Sequence, residues 1–142
     1  MILCGVELPS SFGPDGHSDA DVALHALCDA LLGASALGDI GLHFPDSDER
    51  YKGADSSGLL RQVYAMVREQ GYKLGNADIT IVLQSPKLLP YILQMRECVA
   101  STLGCELNQI SIKATTEEHM GFTGSGEGIA AYAAVLLKNN QE

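Results

Sequence analysis

Three side chains that could bind a metal ion or a phosphate recur at four-residue intervals: Asp21, His25 and Asp29. On a helix, residues four apart lie on the same face, so an acid, an imidazole and a second acid would form one row. An apolar stripe at helical spacing runs beside this row, and it consists of Leu24, Leu27, Cys28 and Leu31. The row should therefore lie at the rim of the core, partly shielded from water.

A plainer interpretation of the same stretch stays open. The two acids could be solvated helix residues, and His25 could be a buried histidine with its hydrogen bonds satisfied. One histidine is weak evidence for a metal ligand, so this stretch alone favours the plainer interpretation.

The helix that carries the row should begin at Ser18, because Ser18 followed three residues later by Asp21 is a capping-box pattern. It should end near Leu37, since Gly38 and Gly41 interrupt the pattern after that point. A second helix should follow, with Asp55 as its N-cap and Gly71 as its stop.

Hydroxyl, acidic and basic side chains also follow two predicted strands. Thr115 and Thr116 end one strand and Glu118 follows them, so two hydroxyls could bind phosphate oxygens beside a carboxylate that holds magnesium. Pro86 and Lys87 follow the other strand, where Lys87 could supply a positive charge. The alternatives are a flexible hairpin connection, which the glycines of 121–128 would suit, and a strand-end turn with a solvated lysine.

The order of predicted elements is β-α-α-β-α-β-β, within a single domain of residues 1–142. The strands are expected at 2–8, 76–83, 110–116 and 129–138, and a third helix at 91–103. This order predicts an α+β, two-layer sandwich with a mixed four-stranded sheet and helices on one face. The last strand is apolar on both faces, so it should be buried on both sides.

Composition excludes some classes of partner. The net charge is −9 and no Lys/Arg cluster is present, which argues against nucleic-acid binding. No apolar run is long enough to cross a bilayer, so no membrane partner is expected. Four cysteines without a C-x-x-C pair are read as reduced thiols. An apolar content of 46% suggests that some surface is buried between subunits.

Motifs along almost the whole chain resemble the 2-C-methyl-D-erythritol 2,4-cyclodiphosphate synthase family of the non-mevalonate isoprenoid pathway. The matching segments are His17-Ser-Asp-Ala-Asp-Val-Ala-Leu-His25, Asp29-Ala-Leu-Leu-Gly-Ala, Leu37-Gly-Asp-Ile-Gly, Phe44-Pro-Asp, Lys52-Gly-Ala-Asp-Ser, Pro86-Lys, Lys113-Ala-Thr-Thr-Glu and Gly121-Phe-Thr-Gly-Ser-Gly-Glu-Gly. Their number and order make the resemblance highly specific.

The resemblance implies a homotrimeric lyase with an active site between neighbouring subunits. Its substrate would be the cytidine diphosphate compound 4-diphosphocytidyl-2-C-methyl-D-erythritol 2-phosphate. The 2-phosphate would attack the β-phosphate, close a cyclic diphosphate and expel CMP. The nucleophile is already an oxyanion, so catalysis would consist of positioning and charge neutralisation. Divalent metals would supply much of that charge in an acidic protein: Zn²⁺ or a similar ion, and Mg²⁺ or Mn²⁺.

Site residues carried over from the family fall into three groups. The metal and catalytic residues would be His25 on zinc, Glu118 on magnesium, Thr116 at the nucleotide phosphates and Asp29 beside the metal histidine. The methylerythritol phosphate pocket would comprise His17, Ser18, Asp39, Ile40, Gly41, Phe44 and Asp46, with Phe122 as a further substrate contact. The cytidine pocket of the adjacent subunit would comprise Leu83, Pro86, Lys87, Leu88, Leu89, Ala114 and Thr115.

The chain departs from the family pattern at two places. The family's first strand ends in Asp-x-His, which supplies two further zinc ligands, and this sequence starts after that point. Asp15-Gly-His17 repeats the spelling but aligns with the later pocket motif. Ser125 stands where members often carry a basic residue facing the trimer's central channel.

Two other functions fit parts of this pattern. The first is a truncated, catalytically impaired trimer that binds cytidine nucleotide, since a binding protein does not need Asp-x-His. The second is a metal-dependent phosphohydrolase, although no residue is reserved for a metal-bound water. A bacterial cytoplasm is the expected location, and a plastid stroma is the alternative.

Overall fold

A computed structural model describes residues 1–9, 21–45 and 56–141. Its elements, in chain order, are β1 (Ile2–Leu3), β2 (Val6–Glu7), α1 (Val22–Ala34), α2 (Ile40–His43), α3 (Ser56–Glu69), β3 (Tyr72–Val82), α4 (Ile92–Leu103), β4 (Ile110–Thr115), α5 (Gly121–Gly124) and β5 (Ala130–Asn139). Single 3₁₀ turns at Leu89–Tyr91 and Leu107–Gln109 precede α4 and β4. No helix in the described ranges is long and apolar enough to cross a membrane.

The described sheet has the strand order β4-β3-β5. Strand β3 runs parallel to β4, with Ile79 opposite Ile112, and antiparallel to β5, with Ile79 opposite Ala133. Helix α1 packs on β5 and β3, α4 packs on β4, and α3 packs on α1. The predicted α+β architecture with a mixed sheet is therefore confirmed.

The apolar stripe of α1 is part of the core. Leu24, Leu27, Cys28 and Leu31 are each 0–1% exposed, against the buried side chains Ile79 and Ile81 of β3. All four cysteines are free thiols, and burial raises the pKa of the Cys28 thiol well above its usual value. Cys28 therefore acts as a small core side chain, as its place on the stripe predicts.

The prediction of a fourth strand at 2–8 is wrong for the described part of the chain. Cys4 and Gly5 have φ values of +51° and +78°, so they form a two-residue turn and the segment folds into a separate β1–β2 hairpin. Positive φ at both central residues is what a type I′ hairpin turn requires. The strand pattern of the sequence did not show that the chain reverses within it.

The beginning of α1 also differs from the prediction. Asp21 has extended backbone angles, and its side chain accepts a hydrogen bond from Leu24 N at 3.0 Å, so Asp21 is the N-cap and the helix begins at Val22. The predicted start at Ser18 lies outside the described residues, as does the predicted N-cap Asp55. The helix ends at Ala34 instead of Leu37 because Ala36 adopts φ +60°, which ends the helical backbone.

The last strand is buried on one side only. Tyr132 and Leu136 are 66% and 59% exposed, whereas Ala133 and Val135 pack against the core. The predicted burial on both sides is wrong for the single chain, because the helices cover only the other face of the sheet. The open face combines these apolar side chains of β5 with polar side chains of the neighbouring strands, including Asp78 and Lys113.

Asp21 connects the hairpin to α1, which makes it a strong candidate for a stability test. Its carboxylate accepts hydrogen bonds from the N–H groups of Cys4 at 2.9 Å and Gly5 at 2.7 Å, in addition to Leu24. Replacing Asp21 with alanine should lower the free energy of unfolding by about 2–4 kcal/mol, because a helix cap is lost and buried donors are left without an acceptor.

Urea denaturation at one fixed protein concentration measures this effect. Asp39→Ala is the matched control, since Asp39 caps α2 at an exposed site through the single N–H of Leu42; it should cost about 1 kcal/mol. Equal losses for the two variants would show that the contacts of Asp21 with the hairpin contribute little.

Candidate functional site

A cavity of about 450 Å³ lies where the parallel strands β3 and β4 end. Its lining comprises Leu83, Gln84, Pro86, Lys87, Leu88, Leu89, Ile92, Ile112, Lys113, Ala114, Thr115 and Thr116. All residues predicted for the cytidine pocket are in this lining, together with Thr116. Ligands commonly bind at the carboxyl ends of parallel strands, so the position and size of this cavity suit a small-molecule site.

Local structure explains why these residues meet. The N–H of Leu83 donates to the carbonyl oxygen of Thr115 at 3.1 Å, which holds the two strand ends together. The chain then turns at the cis Ser85–Pro86 bond, and Leu88, 2% exposed, anchors the returning segment in the core. Lys87 and Leu89 remain exposed at the rim.

Two polar residues of the lining were absent from the predicted site. Lys113 forms an ion pair with Asp78, and its hydrogen bond to this carboxylate holds the pKa of Asp78 below its usual value. Gln84 contacts the loop after β4, as described below. Lys113 lies in one of the motifs given above, but the spacing of residues did not indicate that either residue lines the cavity.

The loop after β4 carries the predicted magnesium residue. Glu118 is exposed, and its backbone N–H donates to the hydroxyl oxygen of Thr116 at 3.3 Å. Glu118 and His119 adopt left-handed backbone conformations, with φ of +53° and +67°. For residues other than glycine, each such conformation costs about 1–2 kcal/mol and persists only where its surroundings enforce it. The loop is therefore held in an unfavourable conformation next to the cavity.

A second group of predicted site residues lies on α1 and α2. His25 is half-buried, and its Nε2 lies 3.3 Å from the hydroxyl oxygen of Ser56. Asp29 Oδ1 accepts a hydrogen bond from the N–H of Ile40 at 2.9 Å, and Asp39 accepts one from Leu42 at 2.9 Å. Asp29 thus ties α2 to α1, and Asp39 caps α2.

The predicted row of Asp21, His25 and Asp29 is not a shared metal site. Asp21 is fully buried, and burial raises its pKa while the N–H groups bound to it act in the opposite direction. Its oxygens are occupied by the hairpin and by α1, so Asp21 has a structural role. The sequence pattern placed the three residues on one face, but it could not show which partners each side chain has.

The remaining predicted residues are placed as follows. Gly41 is exposed and Phe44 is half-buried at the two sides of α2. Phe122 is 56% exposed in α5, with its ring against Gly128, where a Cβ atom would come within 2.7 Å of the ring. His17, Ser18 and Asp46 lie outside the described residues.

The donor atoms present provide a test of the implied metals. No group of three histidine, cysteine, aspartate or glutamate side chains in the described ranges could hold a metal ion. His25 alone does not make a zinc site, which takes four ligands and at least three from the protein. Glu118 offers an exposed carboxylate, which fits magnesium because this ion is commonly held by one or two carboxylates and by substrate phosphates.

Comparisons with known proteins cover nearly the whole chain. A family model described as the YgbB family matches residues 1–138. The 2-C-methyl-D-erythritol 2,4-cyclodiphosphate synthase of Alcanivorax borkumensis is 58% identical over 139 residues, covering 98% of this chain and 87% of the relative. The protein of the same name from Vibrio vulnificus is 60% identical over 137 residues, covering 96% and 87%.

A solved structure is also similar. A 2C-methyl-D-erythritol-2,4-cyclodiphosphate synthase structure, described as the CDP-bound form, superposes with a TM-score of 0.84 at 38% identity. The match covers 97% of this chain and 89% of that one. The similarity therefore extends from the sequence to the three-dimensional arrangement.

Proposed function

The chain belongs to the YgbB family, and from that premise we propose how its residues carry out the reaction of its synthase relatives. The chain is a lyase that cyclises 4-diphosphocytidyl-2-C-methyl-D-erythritol 2-phosphate to 2-C-methyl-D-erythritol 2,4-cyclodiphosphate and releases CMP. The observation that carries this conclusion is the identity of 58–60% with synthases over almost the full chain. The alternative of a binding module without chemistry is not favoured.

The cavity at the ends of β3 and β4 is the proposed cytidine pocket. Its walls are largely apolar and include Ala114 and the buried side chains Leu83 and Leu88. Lys87 stands exposed at the rim, where its charge can meet a phosphate group. The CDP-bound relative supports a nucleotide diphosphate ligand for this fold. A pocket with apolar walls and few polar groups is typical of small-molecule sites.

The other half of the substrate is proposed to bind the group on α1 and α2. The pocket for this half of the substrate would comprise Asp39, Ile40, Gly41 and Phe44, with His17, Ser18, Asp46 and Phe122. Asp29 would support this pocket indirectly, because its hydrogen bond from Ile40 N positions the backbone of α2. That backbone, more than the Ile40 side chain, which is 7% exposed, would face the methylerythritol phosphate.

A homotrimer is proposed because it would unite the two halves in a cleft between subunits. The open face of the sheet supports association, since Tyr132 and Leu136 would be costly to leave in water. Their burial in an assembly would also account for an apolar content of 46% in so small a chain. The resemblance to trimeric synthases supplies the number of subunits.

In the proposed reaction, an oxygen of the 2-phosphate attacks the β-phosphorus. A new P–O bond closes the ring as the bond from the β-phosphorus to the bridging oxygen breaks, and that oxygen leaves with CMP. No strong base is required, because the attacking oxygen is already negative. Thr116 would donate its hydroxyl to the nucleotide phosphates, and the cavity walls would hold the cytidine so that the reacting atoms stay aligned.

The family implies a divalent metal, and two sites are proposed for it. Glu118 would hold Mg²⁺ or Mn²⁺, which when bound neutralises charge on the phosphates. His25 would be one ligand of Zn²⁺, with Asp29 as a neighbouring acid. The described residues supply only this one zinc ligand, so no step of the reaction is derived from zinc. A bacterial cytoplasm is the proposed location, since the relatives come from bacteria.

Phosphorus NMR of the purified protein with its substrate and Mg²⁺ tests the proposed function. The expected products are CMP and a cyclic diphosphate in equal amounts. A linear phosphate product would support a phosphohydrolase instead, because water would then be the nucleophile. Nucleotide binding without turnover would support the binding-module alternative.

Lys87→Ala tests the nucleotide pocket separately from assembly. Loss of the rim charge should weaken CMP binding about tenfold, since charge-assisted contacts with phosphate are among the stronger hydrogen bonds. Titration calorimetry measures the affinity, and sedimentation velocity measures the oligomeric state, which should not change. Lys138→Ala is the control, because Lys138 pairs with Lys73 at the opposite end of the sheet. A variant that dissociates would instead mean that Lys87 is structural.

A further inference from the structure

Gln84 lies between the cavity and the loop that carries Glu118. It lies just after Leu83, the residue that follows β3, and it lines the cavity. Its side chain reaches across to a residue 35 positions later in the chain. Its Oε1 accepts a hydrogen bond from the backbone N–H of His119 at 3.1 Å. Its Nε2 lies 3.5 Å from the Nε2 of the His119 ring. One glutamine side chain thus contacts both the backbone and the side chain of His119.

The two contacts require one orientation of the amide. Because Oε1 accepts from the His119 N–H, the NH₂ group must face the imidazole. The contact between this NH₂ group and the Nε2 of His119, at 3.5 Å, is the longer of the two. The backbone of His119 therefore decides the orientation of the glutamine amide.

The loop needs such an external contact. Glu118 and His119 are consecutive residues with positive φ, and neither is a glycine, so the local sequence does not favour this backbone. On the far side, Gly124 packs against the His119 backbone, where a Cβ atom would come within 2.4 Å of the carbonyl carbon. The His119 backbone thus contacts both Gly124 and Gln84.

We infer that Gln84 is a positioning residue, which holds the left-handed Glu118–His119 segment so that the Glu118 carboxylate is directed at the substrate phosphates. The inference rests on the proposed role of Glu118 in catalysis. Gln84 acts through His119 and does not itself need to touch the reacting atoms.

The first experiment uses the enzyme without divalent metal or substrate, so that its outcome does not depend on turnover. Gln84→Met keeps the length of the side chain but removes the donor and the acceptor. Hydrogen exchange of peptides that cover 117–120 should become about two- to tenfold faster in this variant, as expected for the loss of one or two hydrogen bonds. Gln84→Glu retains the acceptor for the His119 N–H and should exchange within about twofold of the wild type.

The second experiment is a double-mutant cycle on CMP release. Gln84→Met should lower kcat about tenfold, because a misdirected catalytic group loses much of its effect, while the dissociation constant of CMP changes less than about twofold. In the Glu118→Gln background the same change should have less than a twofold further effect, since the group that it positions is already lost. Gln70→Ala, at an exposed glutamine after α3, is the control and should change neither readout.

These outcomes separate the inference from the proposed function. Unchanged exchange in Gln84→Met overturns the inference. The inference is also overturned if Gln84→Met lowers kcat as much in the Glu118→Gln background as in the wild type. A loss of CMP affinity large enough to explain the whole loss of activity would overturn it as well. A wild-type protein that releases no CMP would instead contradict the proposed function, while the exchange comparison would still report on the contact between Gln84 and the loop.

Discussion

Replacing Glu118 with glutamine should lower kcat for CMP release about 10²–10³-fold, while KM changes by less than about threefold. The glutamine keeps the size of the side chain and removes the negative charge that is proposed to hold magnesium at the substrate phosphates. Loss of one preorganised electrostatic contact to a developing charge commonly has an effect of this size. Initial rates over a range of Mg²⁺ concentrations measure it, and the variant should require more Mg²⁺ for half-maximal rate.

Glu117→Gln is the matched control for this test. Glu117 is the adjacent exposed glutamate, and its backbone carbonyl oxygen accepts a hydrogen bond from Met120 N. Both variants remove one negative charge from the same loop, so they change the general field around the cavity by similar amounts. A loss of activity in Glu117→Gln with little change in Glu118→Gln would mean that Glu117, and not Glu118, holds the magnesium.

Replacing His25 with alanine should reduce bound zinc and activity together. The other ligands of a zinc site would have to come from outside the described residues. Wild-type protein should then carry about one zinc per chain, as a mononuclear site would, and the variant should lose most of it. Activity should fall in proportion to the zinc content, because both would depend on the same imidazole. Metal content by mass spectrometry and the CMP-release assay, run on the same preparations, measure the two effects.

His43→Ala provides the comparison for His25. The Nε2 of His43 lies 2.6 Å from the carbonyl oxygen of Leu37, so this ring stabilises the segment before α2 and should have no effect on zinc content. Full activity and unchanged zinc in His25→Ala would remove His25 from the site. Wild-type protein without zinc would mean that the metal part of the proposal does not hold for this chain.

Much of the fold was predictable because it depends on local periodicity. The β-branched run of β3 and the helical stripe from Leu24 to Leu31 each repeat with the period of a single element. This period follows from burying one face of the element, so it can be recognised without knowledge of the rest of the chain. Gly104, with φ +68° at the end of α4, is likewise a helix end that the local sequence predicts. Most of the cavity wall was also predicted, but from the family resemblance and not from local periodicity.

Partners of polar side chains were not predictable from spacing. Asp21 matched the row of His25 and Asp29 on a helical wheel, yet it caps the helix and binds the hairpin turn at Cys4 and Gly5. The strand pattern of 2–8 gave no sign of that turn, because the carboxylate that accepts hydrogen bonds from its two N–H groups lies far away in the sequence. Such contacts depend on residues 16 or more positions away.

The sequence by itself determined the family, the α+β class, the core stripes and, through the family resemblance, most of the residues of the cavity wall. Only the tertiary structure decided that Tyr132 and Leu136 stand exposed on an open sheet face, and that Gln84 reaches the His119 backbone. The physical reason is the range of the interactions. Periodic burial can be recognised from neighbouring residues, whereas an uncovered face or a hydrogen bond between residues 35 positions apart exists only once the elements have packed.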